Sequence, residues 1–440
     1  MNVAEPSCRA CSRAAKGKVT TEGNVYSSCA TAGAVHGCST VLDSMVVIHG
    51  PRSCAYLMSS SKNVSEIYRR GNKPRKNLQS MRMVSTDIDD TVSVFGGAGL
   101  LEEKIRDVIL EGHKNIFVVT SCVPGIIGDN TIDVVNAISN EHPGLYFRVV
   151  EADGNIMGDW EDGFVESANA LLDMVDCSVE PREMTVNVLA ERYHFRTGDP
   201  KDMGIFELFK PFGIEVNCRF MYESSMDDIR RLCLGKMNYI ADGDRGSLKI
   251  ARLVSGRLGI PVDMEPLPIG IREYRRFAEK IGRDFNIAQK AEEAIAEEEK
   301  KYYAEIEKIR PKLKGKRVLI EDRFLQNIDW LIDLVLDLGM KIEVIGVGPV
   351  HPWKSKRPDS EYLSKGIIFK QDYVLEDLLA DIKEIAPDIV LSDSGIRETE
   401  DVYQMMYSRP APGMSNVIKL AQKIGDLVSV PRTEGWRMMQ

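Results

Sequence analysis

No uninterrupted apolar run in this sequence approaches the roughly 18–20 residues that a membrane-spanning helix needs, and the opening Met1-Asn2-Val3-Ala4-Glu5-Pro6 has no basic-then-apolar leader pattern. Both absences lead to the expectation of a chain that stays in the cytoplasm, away from membranes. Positive charge is also short: 57 Lys and Arg stand against 66 Asp and Glu, for a formal net charge of −9. That balance argues against a protein that wraps nucleic acid or coats an anionic lipid surface. No Walker loop occurs, and Phe95-Gly-Gly-Ala-Gly99 stops short of a dinucleotide fingerprint because Glu102 stands where its last glycine would be. Any ATP chemistry is therefore expected in a partner. Histidine is scarce, 6 in 440 residues, with no His-x3-His or His-Glu-x-x-His zinc pattern.

What is there begins with enough apolar residues, 43% against 28% charged, to build packed cores in two to three domains. From about residue 84, short β-branched runs alternate with amphipathic stretches, the pattern of βα units in a parallel sheet. Strands are expected at 115–120 and 145–150, with a helix from 131 to 138 between them. The cycle restarts at 184–189, 213–217 and 236–241, then gives way to a long amphipathic helix over 287–309 that Pro311 should end. A third cycle runs from Arg317-Val-Leu-Ile-Glu321 through a helix near 330–338 and strands at 341–345 and 386–391. The expected fold is α/β, with three doubly wound, Rossmann-like parallel-sheet domains around a central cleft. Their expected boundaries are 1–180 (carrying the cysteines discussed next), 181–312 and 313–440.

Nine cysteines, an odd number in a large chain expected in a reducing compartment, do not read as a disulfide framework. Cys8, Cys11, Cys29, Cys38 and Cys54 crowd the first eighth of the sequence, Cys122 follows, and Cys177, Cys218 and Cys233 are scattered in apolar surroundings that suggest core filling. Cys29, Cys54 and Cys122 each sit among glycines or proline, as iron–sulfur ligation requires when backbone must approach an inorganic core. Cys122 also follows a strand directly, at the carboxyl end where open α/β sheets place ligands. Cys8-x-x-Cys11 is half a metal site, either metal-free or completed by Cys38 or a second chain.

The stretch from Cys29 to Asn130 resembles the first domain of the nitrogenase component 1 superfamily. The resemblance rests on Cys-Ala-x-Ala-Gly at 29–33, His-Gly-Pro-x-x-Cys at 49–54, Ser85-Thr-Asp-Ile-Asp-Asp-Thr-Val-Ser-Val-Phe-Gly-Gly97 and Cys-x4-Ile-Gly-Asp at 122–129. It continues more weakly at 236–240, 315–318 and 394–398. That superfamily includes nitrogenase subunits, their cofactor-assembly scaffolds and tetrapyrrole reductases. The resemblance implies that Cys29, Cys54 and Cys122 ligate an iron–sulfur cluster, four-iron or larger, at a subunit interface and shared with a partner chain. It also implies a paralogous subunit in an α2β2 heterotetramer, a second complex metallocluster in that partner, and a separate ATP-dependent iron–sulfur reductase. His49 would support the cluster loop, and the basic stretch 69–76 is either a solvated loop or a docking contact.

This chain departs from the nitrogenase α pattern where the catalytic cofactor is held. Asp242 falls in place of the family's second-domain Cys, and Met406-Tyr407-Ser408 in place of its third-domain His. Neither supplies a soft thiolate or an imidazole ligand, so Asp242 and Tyr407 become the candidates for proton donation or substrate positioning in the cleft. The implied function is electron relay to a substrate other than dinitrogen, such as a thioether or a tetrapyrrole. A scaffold for cofactor maturation is the alternative, and a zinc-stabilised binding protein built on Cys8, Cys11, Cys29 and Cys38 is the third reading.

Overall fold

The structure, a computed structural model, describes residues 28–59, 82–191, 204–322, 327–348, 362, 366–392, 402–407 and 409–430. Three sheets organise these residues, and every strand pairing in them is parallel. The first contains β1 (Ser44–His49), β2 (Met83–Ser85), β3 (Asn115–Thr120) and β4 (Tyr146–Val150) in the order β2-β1-β3-β4. The second contains β5 (Arg182–Leu189), β6 (Glu215–Phe220), β7 (Gly235–Ile240) and β8 (Val262–Pro266) in the order β6-β5-β7-β8. The third contains β9 (Arg317–Asp322), β10 (Lys341–Val347), β11 (Ile368–Lys370), β12 (Ile389–Ser392) and β13 (Tyr403–Met406) in the order β11-β10-β9-β12-β13. The protein is a multi-domain, Rossmann-like α/β fold, as the alternation of apolar runs and amphipathic stretches implies.

In each sheet the strand order reverses once, between β1 and β3, between β5 and β7, and between β9 and β12. Crossovers leave opposite faces there and open a crevice beyond the carboxyl ends of the strands. β1 went unread in the sequence, although it is the central strand of its sheet and all six of its residues are buried. Its Met-Val-Val-Ile run is too short for periodicity to identify, since a strand covered on both faces shows no alternation.

Packing against the first sheet sets the approach of two helices. Ala30–Ser39 lies on Trp160–Leu172 at backbone distance: a Cβ on Gly33 would stand 1.9 Å from the Trp160 carbonyl oxygen, and one on Gly163 1.8 Å from that of Ala30. Only glycine allows this contact. Because Cys29 caps the first of these helices, Gly163→Ala should both lower stability, by about 1–3 kcal/mol as overpacking usually does, and displace Cys29. Urea unfolding and thiol labelling of the variant check both effects.

The largest core joins the second and third sheets through the helices Ile271–Asp284, Ala288–Leu313 and Met414–Leu427. The long helix continues through Pro311 to Leu313, correcting the expected stop. Pro311 falls in the last turn, so the i→i−4 bond it removes, to the Glu307 carbonyl, is one of the last in the helix and little helix remains beyond it to be broken, and the Lys314 N–H still reaches the Arg310 carbonyl at 2.8 Å. Among the described residues, no helix is long and apolar enough to cross a membrane.

Candidate functional site

The first sheet's switch point gathers the motif cysteines. β1 runs into Gly50-Pro51 and a helix over 52–59 that carries Cys54, while β3 runs through Ser121 into the helix Cys122–Ile127. Cys29 is brought to the same end of the sheet by a bridge to Asp159 and by the Trp160 N–H, which donates to the Ser28 carbonyl at 2.9 Å. The loop after β4 supplies the floor: a Cβ on Gly154 would lie 3.0 Å from Cys29 Cβ and 3.5 Å from Cys122 Sγ. Three thiols from three distant segments and a glycine cradle thus share one place.

Their electrostatics agree with this proximity. Burial raises the Cys54 thiol above its ordinary value, and the neighbouring sulfurs of Cys29 and Cys122 push it further. Burial also raises Cys122, opposed by the backbone N–H groups of Gly154 and Asn155, while the Asp153 carboxylate beside it adds to the rise. A bound cation or cationic cluster would reverse this by favouring thiolate, as metal coordination does. Among the described residues no three His, Cys, Asp or Glu side chains converge tightly enough to cage a single metal ion. Soft donors spread round a glycine-lined hollow fit a multi-iron inorganic core better than a lone ion.

Four sequence motifs interlock behind the cysteines. His49, fully buried, donates from Nε2 to Asp129 Oδ2 at 3.1 Å, which leaves Nδ1 to accept the Thr86 hydroxyl at 3.2 Å. Thr86 Oγ1 in turn accepts the Gly50 N–H at 3.0 Å, and Asp129 accepts the Gly97 N–H at 2.8 Å. Gly97 caps the helix Ala98–Leu110, so the glycine-rich stretch that resembles a nucleotide loop has its helix terminus filled by the Asp129 carboxylate. Burial holds the His49 imidazole below its usual value against the pull of Asp129. The sign follows: its neutral form stabilises the fold above about pH 6.5, and that contribution is lost as pH falls below it. An NMR titration should find the His49 ring still neutral near pH 6.5, where a free imidazole is half protonated.

Other candidates are placed differently. Cys38 sits at the far end of the helix Cys29 begins, about 13 Å along its axis, and lies fully buried with burial driving its thiol up. It is a core residue out of reach of Cys29, which removes it from a shared zinc site. Cys218 is core filling as expected, its thiol pushed up to about 12 by burial. Cys177 and Cys233 are not simple core fillers: they form a disulfide with a Cα–Cα distance of 5.4 Å, and Cys177 is exposed. The Asp176 N–H donates to the Arg230 carbonyl at 2.8 Å, which lays the two segments together. Cys8, Cys11, the 69–76 stretch, Ser408 and the 394–398 motif lie outside the described residues.

Asp242 follows β7 and pairs with Arg409 Nη1, tying the end of the second sheet to the segment after β13. Tyr407, two residues before Arg409, is buried in the large core, its hydroxyl donating to the Glu321 carbonyl at 3.4 Å. Sequence reading missed Arg409, Asp153 and Gly154, none of which belongs to a spaced motif. It also missed Arg245, which follows Asp242 by three positions and clamps Asp159, the bridge partner of Cys29, at 2.6 Å.

Three Rossmann-like parallel sheets, with three soft thiol side chains gathered at the switch point of the first, define a multi-domain α/β protein. The chain belongs to the nitrogenase component 1 type oxidoreductases, whose family profile matches residues 29–410. It is 26% identical over 397 residues to the nitrogenase iron-molybdenum cofactor biosynthesis protein NifE of Clostridium pasteurianum, covering 86% of this chain and 80% of that one. It is 28% identical over 382 residues to the nitrogenase molybdenum-iron protein alpha chain of Methanothermobacter marburgensis, covering 84% and 78%. The solved structure "Nitrogenase Cp1 at pH 6.5" shares the fold at a TM-score of 0.67 and 19% identity, over 94% of this chain and 90% of that one.

Proposed function

We propose that this chain is one subunit of the catalytic component of a nitrogenase-like two-component reductase, acting on a substrate other than dinitrogen. In this reading Cys29, Cys54 and Cys122 hold an iron–sulfur cluster of four irons or more, which accepts single electrons and passes them on. A paralogous chain in an α2β2 cytoplasmic assembly completes the ligand set and carries any second metallocluster. An ATP-dependent iron–sulfur reductase docks over the seam, with residues 69–76 as one contact. We take 1–180, 181–312 and 313–440 as the domain boundaries.

The observation that carries the reading is the setting of the three thiols. Tyr56, Leu57, Val94, Phe95, Ile126 and Ile156, all from segments flanking them, are 66% to 84% exposed. Apolar side chains left in water around incomplete soft ligation call for a covering partner. This chain's residues have three tasks there: the cysteines supply thiolates, Gly154 leaves room for the inorganic core, and the His49–Asp129–Thr86 network holds the loops.

The Asp242–Arg409 pair supports a substrate other than dinitrogen, because it occupies the position of the family's cofactor thiolate with two hard groups already matched to each other. The resemblance to NifE favours the second reading, a scaffold that matures and releases a cofactor. Turnover tests separate them. The anaerobic complex should be brown, contain several irons per chain, and reduce thioether or tetrapyrrole substrates only with reductase, ATP and dithionite. Transfer of a heterometal cluster to an apo-protein without turnover would establish the scaffold. Colourless protein with one zinc, or full turnover on NADH alone, would overturn both.

A further inference from the structure

Ser121 occupies the N-cap of the helix Cys122–Ile127 with extended backbone, φ −106° and ψ −176°, yet its side chain makes no capping hydrogen bond. Serine is among the residues most suited to that task. Its hydroxyl instead turns away from the helix and against β1's exit: a Cβ on Gly50 would meet Ser121 Oγ at 2.1 Å. The residue is 1% exposed, and Oγ has no hydrogen-bond partner. A buried hydroxyl left so is destabilising, and it stands in the β1/β3 crevice, between the loop that carries Cys54 and Cys122 itself.

The Gly50 carbonyl at the exit of β1, one acceptor for its proton, already takes the Ile88 N–H at 3.1 Å and the Ser85 hydroxyl at 3.3 Å. The Gly50 N–H is committed to Thr86, and the Ser121 N–H to the His49 carbonyl at 3.0 Å. His49 already uses both ring nitrogens, on Asp129 and Thr86. Cys29, Cys54 and Cys122 gather at this same end of the sheet, so the acceptor class the site would bring to the hydroxyl is sulfur, from a cysteine thiolate or an inorganic sulfide.

We propose that Ser121 is a positioning residue whose hydroxyl donates a hydrogen bond to a sulfur of the cluster held by Cys29, Cys54 and Cys122. This rests on the cluster reading above. A donor aimed at cluster sulfur stabilises the more negative, reduced state, so it raises the reduction potential. Turning away from its helix is the local sacrifice that makes this donor available.

The test compares wild type with Ser121→Ala, each purified anaerobically as the full chain in its native assembly and loaded with ferrous iron and sulfide. Three quantities are read: iron per chain, the midpoint potential by EPR-monitored titration, and proton couplings by pulsed EPR in H2O and D2O. Ser121→Ala should keep its iron, shift the midpoint to a more negative potential and lose one exchangeable proton coupling. Gly50→Ala, which displaces the same hydroxyl without removing it, should shift the midpoint in the same direction. Equal midpoints and equal couplings in wild type and Ser121→Ala would overturn the proposal while leaving the cluster in place. A wild-type chain that takes up no iron would overturn the cluster reading itself.

Discussion

Anaerobically purified Cys122→Ala is expected to lose its brown colour and most of its iron while melting within a few degrees of wild type. The side chain is only half-buried and belongs to none of the hydrophobic cores, and its helix is a short cap beyond the end of β3. Fold stability resides in the apolar sheets, so under the proposed function the thiolate is dispensable for folding and needed for ligation. Cys38→Ala should behave in the opposite way. It removes a fully buried core side chain, lowering the melting temperature with the iron content intact. Iron analysis and calorimetry on the two variants decide the matter: full iron in Cys122→Ala would refute ligation by this residue.

Arg219→Ala should be strongly destabilising although the residue lies outside the hydrophobic cores. Glu191, at the carboxyl end of β5, is fully buried and accepts Arg219 Nε at 2.7 Å, with Nη2 on its second oxygen. Arg219 also lies over the Tyr222 ring, 4.2 Å from its centroid. Removing the guanidinium leaves a carboxylate buried alone, at a cost of about 3–5 kcal/mol. Burial already lifts Glu191 above the usual carboxylate range, with Arg219 pulling it back. Without that pull its folded-state pKa rises further, so proton uptake favours the folded variant. The deficit should therefore be largest near pH 7 and shrink as pH falls through the raised value toward about 4.3. Urea unfolding at pH 7 and pH 5 measures this, and Glu191→Leu in the Arg219→Met background should recover much of the loss.

How far the site could be read from sequence depended on whether its residues carry local signals. Cys29, Cys54 and Cys122 stand out by the glycines and prolines beside them, because close backbone approach needs glycine and tight turns favour both residues. Asp129 and His49 were visible as motif members, but their mutual hydrogen bond was not. Gly154 and Ser121 have no such signature, since each matters only for what another segment places next to it. The error at Cys177 has the same origin. Its partner lies 56 residues away, and apolar neighbours in sequence describe neither its exposure nor its pairing.

By itself, then, the sequence determined the architecture and the chemistry on offer: parallel α/β cycles from β-branched runs and amphipathic helices, thiolates for soft ligation, and no phosphate loop. These follow from local periodicity and residue type, which act over a few residues. Strand order decided the rest. Placing β1 beside β3 brings Cys54 and Cys122 to one crevice, and the return of the loop after β4 sets Gly154 beneath them. The meeting of the second and third sheets matches Asp242 to Arg409 rather than leaving it to a ligand. Such pairings are fixed by burial of apolar faces between elements distant in sequence, a free energy that belongs to the assembled core and to no single segment of it.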